Sequence, residues 1–268
     1  MGKKMKSYLY GLVMTVQFFS MLPINKEVPM TAKNMERAIR VFPLFGLFIG
    51  CIYSGFAYVL LQWTPLSPLA SSFFLWLLII VLTGGIHLDG WIDASDAFFS
   101  YRDPEKRLEI MKDPRVGAFG VLSVIVLLAT KFIFIYEMIS QVSPSTFVFI
   151  LFIPFFSRTL MGMILVLVPS AKKDGLGYMF QKACRPKSVY FYLFYIVPVL
   201  ITVGIWNEKV LIIVMIMLIS VIILFFFIRR KAVKWFTGIT GDVVGAATEG
   251  VEVFLWMIVW LLLCYVMG

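Results

Sequence analysis

Long apolar runs, separated by short polar loops, dominate the chain from about residue 41 onward. A helix needs about 20 apolar residues to cross a bilayer, so runs of this length predict membrane-spanning helices. The runs lie at about 41–62, 69–86, 117–139, 146–168, 188–206, 209–228 and 251–267. The pattern therefore predicts an all-α fold, a polytopic integral membrane helical bundle with about seven spans.

The N-terminal apolar segment 7–23 fits this pattern less well. It contains Gln17, ends at Pro23 and has basic residues on both flanks. Because Lys and Arg collect on the cytoplasmic side of a span, basic residues at both ends argue against a simple crossing. We interpret the segment as re-entrant or interfacial, and the sequence leaves open whether it spans the bilayer.

Composition and charge support a membrane protein. Hydrophobic residues make up 61% of the chain, and the net charge is +9. The basic residues are concentrated in a few loops, which is typical of cytoplasmic loops beside anionic lipid and does not indicate a nucleic-acid partner. The loops near residues 100, 178 and 235 are therefore predicted to share the cytoplasmic side. Since no linker interrupts the chain, residues 1–268 are predicted to form a single domain.

The stretch 83–120 contains nearly half of the 15 carboxylates and the only histidine, His87. On a helix, Asp89, Asp93 and Asp96 fall within an arc of about 60°. Three carboxylates on one face repel one another unless a cation lies between them, and carboxylate oxygen is a ligand that Mg²⁺ prefers. This face therefore predicts a magnesium site, with a solvated helix end as the alternative. His87 points to roughly the opposite side if the helix is continuous.

Two further places have unusual polar residues. Asp242, Gly245, Ala246 and Glu249 share one helical face, which either packs against another helix or receives a ligand. Arg158 lies inside an apolar run and needs an anion, either one of the acids or a substrate phosphate. Together with the basic loops, these residues suit metal-assisted phosphoryl or nucleotidyl transfer on a membrane-associated or very apolar substrate.

At these residues the chain resembles the cobalamin synthase family, the adenosylcobinamide-GDP ribazoletransferases. The motifs that carry the resemblance are VFPLFG, TGGIHLDGWIDASDA, RLEIMKDPRVGAFG, FSR, DGLG and TGDVVGAATE. Ala97 and Thr237 stand where glycine is usual, and Ser20 and Met21 stand where many members have Thr-Arg. We expect the first two departures to be tolerated, with Thr237 the one that can alter the local backbone.

The resemblance implies a reaction. The ribose 3′-hydroxyl of α-ribazole, or of its 5′-phosphate, attacks the cobinamide-linked phosphorus of adenosylcobinamide-GDP. GMP leaves, adenosylcobalamin or its 5′-phosphate forms, and Mg²⁺ is the cofactor. The enzyme is expected in the cell membrane of a bacterium or archaeon, with its active site on the cytoplasmic side. The sequence leaves open whether it forms a homo-oligomer.

The resemblance also implies roles for the acids. Asp89, Asp93 and Asp96 are expected to hold Mg²⁺ against the diphosphate. Asp242 and Glu249 are expected to supply a second metal position or to orient the nucleophile.

Other polar residues are expected to contact the substrates. Lys112, Arg115 or Arg158 would neutralise the departing GMP. The full set implied in substrate binding is His87, Glu109, Lys112, Asp113, Arg115 and Arg158.

Two other protein classes compete with this interpretation. CDP-alcohol phosphotransferases also use an aspartate cluster at the membrane edge, but their D-x-x-D-G-x-x-A-R pattern fails at Ile86 and lacks the arginine after Ala94. An ion-coupled transporter is disfavoured because the acids cluster at one edge and do not line a path across the bilayer.

Overall fold

The structure, a computed structural model, describes the backbone of residues 2–267 and the side chains of residues 7–265. Within residues 2–267 the regular elements are all helical. They are α1 (Gly2–Phe19), α2 (Ala32–Arg40), α3 (Phe42–Trp63), α4 (Pro68–Thr83), α5 (Ile86–Phe99), α6 (Pro104–Ile110), α7 (Ala118–Ser140), α8 (Pro144–Leu167), α9 (Gly175–Ala183), a 3₁₀ helix (Pro186–Tyr192), α10 (Leu193–Trp206), α11 (Glu208–Phe236), α12 (Gly241–Leu262) and a final π-helical segment (Leu263–Met267). The all-α prediction is confirmed.

Six stretches of the described chain are helical, long and apolar enough to cross a membrane. They are Phe42–Trp63, Ala118–Ser140, Pro144–Leu167, Pro186–Trp206, Glu208–Phe236 and Gly241–Tyr265. A seventh arises if α4 and α5, which meet at a bend of 85°, are counted as one broken span. The chain is therefore a multi-pass membrane protein. The prediction of about seven spans is confirmed when the α4–α5 pair is counted as one span.

The bend between α4 and α5 has a local cause. Gly84 and Gly85 both have left-handed backbone conformations, with φ of 64° and 70°. Glycine adopts this conformation without the Cβ clash that other residues meet, so two in succession end one helix and redirect the chain. The second apolar run thus ends as a helix at Thr83, and not at residue 86 as predicted.

The centre of the bundle is α8, which is buried along most of its length. α3 packs along it, and their close approach depends on two glycines of α3. A Cβ at Gly46 would collide with the backbone of Pro154, and one at Gly50 with that of Leu151. Small residues at such positions let helix backbones approach one another in a membrane.

The helix α12 begins earlier than the predicted run 251–267. Thr240 caps its N-terminus by accepting a hydrogen bond from Val243 N at 3.2 Å. Residues 241–250, which precede the apolar run, therefore belong to the same helix. α11 also continues two turns beyond the predicted end at residue 228, through its basic segment to Phe236.

The segment before the first long span forms a helix that packs on α2. Within the described chain, α1 is not among the helices that are apolar enough to span a membrane. Just after its end, Met21 N donates to Leu82 O at 2.9 Å, which fixes this end beside the α4–α5 bend.

Three of the polar loops meet at one end of the bundle, called here the basic end. Arg107 Nη1 donates to Trp235 O at 3.4 Å, and Ala171 N donates to Ile239 O at 2.9 Å. The loops near residues 100, 178 and 235 therefore lie on a common side, as their charge predicts.

Candidate active site

An acidic face is formed at the basic end by α5 and the start of α12. Asp89 lies one turn after the glycine bend and is exposed, while Asp93 and Asp242 are partly buried. Asp93 is within range of electrostatic repulsion from Asp89, Asp242 and Asp96. The two helices can come this close because Gly90 lies against the backbone of Asp242.

Gly245 of α12 lies close to α5. A Cβ at Gly245 would lie 3.2 Å from the backbone of His87, which is closer than ordinary van der Waals contact. Gly245 also borders the inner cavity described below, so it contributes to helix packing and remains available to a ligand.

Asp96 has a different environment from the other two aspartates of α5. Its carboxylate accepts hydrogen bonds from Gly117 N and Gly120 N, both at 2.7 Å. A Cβ on either glycine would overlap the carboxylate. Asp96 therefore anchors the N-terminus of α7, where backbone N–H groups lack helical partners and the helix dipole favours a negative charge.

The donor set of the acidic face fits Mg²⁺ in kind. Within the described residues, no three Asp, Glu, His or Cys side chains converge as a ready-made metal site. Mg²⁺ does not require such a cage, because it commonly keeps several waters and binds one or two carboxylates plus substrate phosphates. Asp89 and Asp93 meet that requirement, and the assignment of Asp89, Asp93 and Asp96 as metal ligands stays a prediction.

Two cavities adjoin the acidic face. The outer cavity, about 320 Å³, lies at the basic end and includes Lys112 and Lys172 in its wall. The inner cavity, about 180 Å³, extends between α1, α5, α8, α9 and α12. The cavities meet at the residues they share, which are Leu176, Gly177, Gly241 and Asp242.

The two cavities differ in the side chains that form their walls. Lys172 of the outer cavity exerts an electrostatic attraction on the carboxylate of Asp242. The inner cavity is mostly apolar, with Asp89 and Asp242 at one side of its wall. The outer wall carries Lys112 and Lys172 and also Asp174 and Asp242, so an anion can bind beside its lysines, while the inner cavity favours an apolar group.

His87 lines the inner cavity together with Asp89. A continuous helix would point His87 away from the aspartates. The helix instead begins at Ile86, so His87 lies in its first turn and borders the same cavity as Asp89. The ring is 2% exposed and stacks on Phe19, with a centroid distance of 6.3 Å. Its Nε2 has no hydrogen-bond partner in the described part of the chain.

Three of the predicted substrate contacts are engaged elsewhere at the surface. Glu109 pairs with Lys106 at 2.5 Å. Arg115 Nε donates to Asp113 at 2.8 Å, and this contact lowers the pKa of the Asp113 carboxyl to about 2. These residues are absent from the walls of both cavities, whereas Lys112 lies in the outer one.

Glu249 and Arg158 lie away from the cavities, in a buried charge cluster. Lys131 Nζ lies 2.6 Å from Glu249 and 3.2 Å from Glu252, while Arg158 Nη1 lies 2.7 Å from Glu252. Ser157 adds a hydrogen bond to Glu252 at 3.1 Å. Of the two partners considered for Arg158, an acid and a substrate phosphate, the structure shows the acid.

Several wall residues were missed by the sequence argument. Lys172 belongs to a loop that was noticed only as basic, and Gly177 belongs to the DGLG motif. The signal for both was the position of a charged, glycine-containing loop just before a short helix. Phe18 and Phe19 carried no distinguishing signal, because they look like any other apolar residues of the first segment.

Comparison with known proteins gives consistent matches. A family model described as "Cobalamin-5-phosphate synthase" matches residues 11–260. A protein of a Geobacillus species named "Adenosylcobinamide-GDP ribazoletransferase" is 38% identical over 268 residues, covering 98% of this chain and 100% of that protein. Proteins of the same name from Geobacillus thermodenitrificans and Acinetobacter baumannii are 34% and 35% identical, over 98% and 87% of this chain and 100% and 90% of those proteins. No solved structure matches the chain.

Proposed function

The chain belongs to the cobalamin-5-phosphate synthase family, and on that premise we propose that it joins α-ribazole, or its 5′-phosphate, to adenosylcobinamide-GDP with release of GMP. It is a membrane-embedded transferase of cobalamin biosynthesis. We place its reaction where the outer and inner cavities meet, and we propose that this end of the bundle faces the cytoplasm, as its basic loops favour.

The observation that carries this proposal is the order of groups along the two cavities. Lys112 and Lys172 line the outer cavity together with Asp174, Asp242 lies at the junction, and Asp89 borders the inner cavity. A diphosphate held by lysines therefore lies next to acids that can bind a metal or a hydroxyl group. Phosphoryl transfer needs this kind of positioning and charge stabilisation more than it needs a covalent nucleophile.

The proposed step is a displacement at phosphorus. The 3′-hydroxyl oxygen of the acceptor ribose forms a bond to the phosphorus that carries cobinamide. The bond from that phosphorus to the bridging oxygen breaks, and GMP leaves with the electron pair. Asp242 accepts the hydrogen bond of the attacking hydroxyl group and receives its proton.

The remaining charges act on the diphosphate. Lys112 and Lys172 bind the phosphate oxygens and favour the departure of GMP. Asp89 and Asp93 are the residues that would hold Mg²⁺, which would supply positive charge to the oxygens of the transferred phosphoryl group.

A direct assay tests the proposal. Purified protein in lipid nanodiscs, given adenosylcobinamide-GDP, α-ribazole and Mg²⁺, is expected to release GMP, and chelation of Mg²⁺ is expected to stop the release. Asp242→Asn keeps the shape but cannot take the proton, so turnover should fall about 100-fold or more.

The matched control is Glu105→Gln, an exposed acid at the same end of the bundle that is absent from both cavity walls. Its turnover should stay close to that of the unmodified protein. Two results would contradict the proposal. One is that the unmodified protein releases no GMP, and the other is that the two variants lose turnover to the same extent.

A further inference from the structure

The inner cavity has the character of a binding slot for one flat aromatic ring. Its apolar wall consists of Phe18, Phe19, Ile86, Met161, Leu165 and Phe180. The polar side chains of the wall are those of Asp89, Asp242 and His87, and His87 is almost fully buried. Its Nε2 has no partner within the described residues, and a buried nitrogen without a partner costs free energy unless a ligand supplies one.

We propose that the inner cavity binds the benzimidazole ring of the ribazole acceptor, and that His87 Nε2–H donates a hydrogen bond to its unsubstituted ring nitrogen. This inference rests on the proposed function and deepens it, because it names the part of the substrate that each cavity takes. The ring of α-ribazole is flat and apolar and has one free acceptor nitrogen. The cavity offers apolar walls and the His87 nitrogen for the ring, and the carboxylates of Asp89 and Asp242 for the ribose attached to it.

The other parts of the substrates do not match this cavity. Guanine carries several donors and acceptors on its edge. Because Asp89 and Asp242 are assigned to the metal and the attacking hydroxyl group, the cavity would offer guanine only His87. The corrin ring of cobinamide is far larger than a space of about 180 Å³. Both belong outside, on the side of the lysines.

The position of the cavity agrees with the direction of the reaction. Asp89 and Asp242 border the same cavity as His87. A ring held against His87 therefore places the ribose attached to it toward these acids. The attacking hydroxyl group then reaches the junction, where the outer cavity holds the diphosphate.

The experiment compares two acceptors in the unmodified protein. One is α-linked benzimidazole riboside, and the other is the matching indole riboside, which has a C–H group in place of the acceptor nitrogen. A hydrogen bond to a buried donor predicts that kcat/KM for the indole compound is lower by about 10- to 100-fold. The effect should lie in kcat/KM for the acceptor, while the KM for adenosylcobinamide-GDP stays within about twofold.

Two variants assign the effect to His87. In His87→Ala both acceptors should react poorly and at nearly equal kcat/KM, because the donor is gone. In His87→Gln an amide N–H lies near the former Nε2 position, so part of the preference for the benzimidazole compound should return. A purely structural role of His87 would lower kcat/KM for both acceptors by the same factor, so the preference for the benzimidazole compound would be unchanged in each variant.

The outcomes separate this inference from the one on which it rests. Equal kcat/KM for the two acceptors in the unmodified protein would overturn the inference and leave the proposed function standing. Retention of the full preference in His87→Ala would also overturn it. Absence of GMP release with either acceptor would overturn the proposed function and this inference with it.

Discussion

Thr237 is the residue where the backbone is most clearly at odds with its side chain. It ends α11 with a φ of 61°, in the left-handed region. A β-branched residue in that conformation suffers a clash between Cβ and the backbone that glycine avoids, at a cost of about 1–2 kcal/mol. The family pattern has glycine at this position. The chain therefore keeps the backbone turn that glycine would adopt and carries the strain.

Replacing Thr237 with glycine is expected to stabilise the protein. Relief of the strain outweighs the extra backbone entropy of glycine, so the gain should be about 0.5–1 kcal/mol, or a rise of a few degrees in Tm. Thermal unfolding in nanodiscs measures the change. Thr237→Ala is the control, because alanine retains the Cβ and should show no such rise. A Tm for Thr237→Gly at or below that of the unmodified protein would contradict the argument.

Among the elements, α5 and α7 are joined through a single carboxylate. Asp96 on α5 binds two backbone N–H groups at the start of α7. This contact resembles a helix cap supplied by a different helix, and caps of this kind contribute about 1–2 kcal/mol. Asp96, the third aspartate of α5, thus has a structural partner.

This arrangement separates the roles of two aspartates in one measurement. Asp96→Asn should lower the Tm because the amide has only one acceptor oxygen for two N–H groups. Its half-saturating Mg²⁺ concentration for GMP release should stay within about twofold. Asp89→Asn should leave the Tm nearly unchanged and raise the Mg²⁺ requirement about tenfold or more, because a carboxylate ligand is lost.

The comparison between these variants decides the assignment of Asp96. A large increase in the Mg²⁺ requirement of Asp96→Asn, with an unchanged Tm, would restore it as a metal ligand. An unchanged Mg²⁺ requirement in Asp89→Asn would remove that residue from the metal site.

The elements themselves could be predicted well from the sequence, and their ends less well. Apolar length alone predicted the spans, because a bilayer imposes that length directly. The glycine pair at 84 and 85 is visible in the sequence, but the sequence did not show that both residues adopt left-handed conformations and bend the chain there. The spacing of Asp89, Asp93 and Asp96 gave one helical face, yet the engagement of Asp96 required the position of α7, which no local pattern contains.

Across the whole molecule, four buried charges connect three helices. Lys131 of α7, Arg158 of α8, and Glu249 and Glu252 of α12 form the buried charge cluster, which is electrically balanced. Glu252 carried the same signal as Arg158, a charge inside an apolar run, but the sequence did not show which charges pair, because the partners are distant in the chain. Which helices face one another is a property of the assembled bundle, so the cluster could not be predicted.

Breaking the charge balance is expected to destabilise the protein. Glu252→Gln leaves Arg158 without its anion in a buried site, a situation that costs about 3–5 kcal/mol. The yield of folded protein and its Tm should both fall. The double variant Arg158→Met with Glu252→Gln removes one charge of each sign and should recover most of the loss.

The same double variant tests the implied contact between Arg158 and GMP. If Arg158 acts only within the buried charge cluster, the double variant should release GMP at close to the normal rate. A double variant that is folded but inactive would assign Arg158 to the substrate, as the family resemblance implies.

The bend at Gly84 and Gly85 has a consequence for the surrounding lipid. α4 has 16 residues, which at about 1.5 Å per residue gives a helix about 24 Å long. The hydrocarbon layer of a typical bilayer is about 30 Å thick, and a span shorter than this layer thins the membrane around it. Where α4 alone faces the lipid, we therefore expect headgroups and water to be drawn inward beside the bend. A charged nucleotide would then approach Asp89 from the side of the bilayer without entering hydrocarbon.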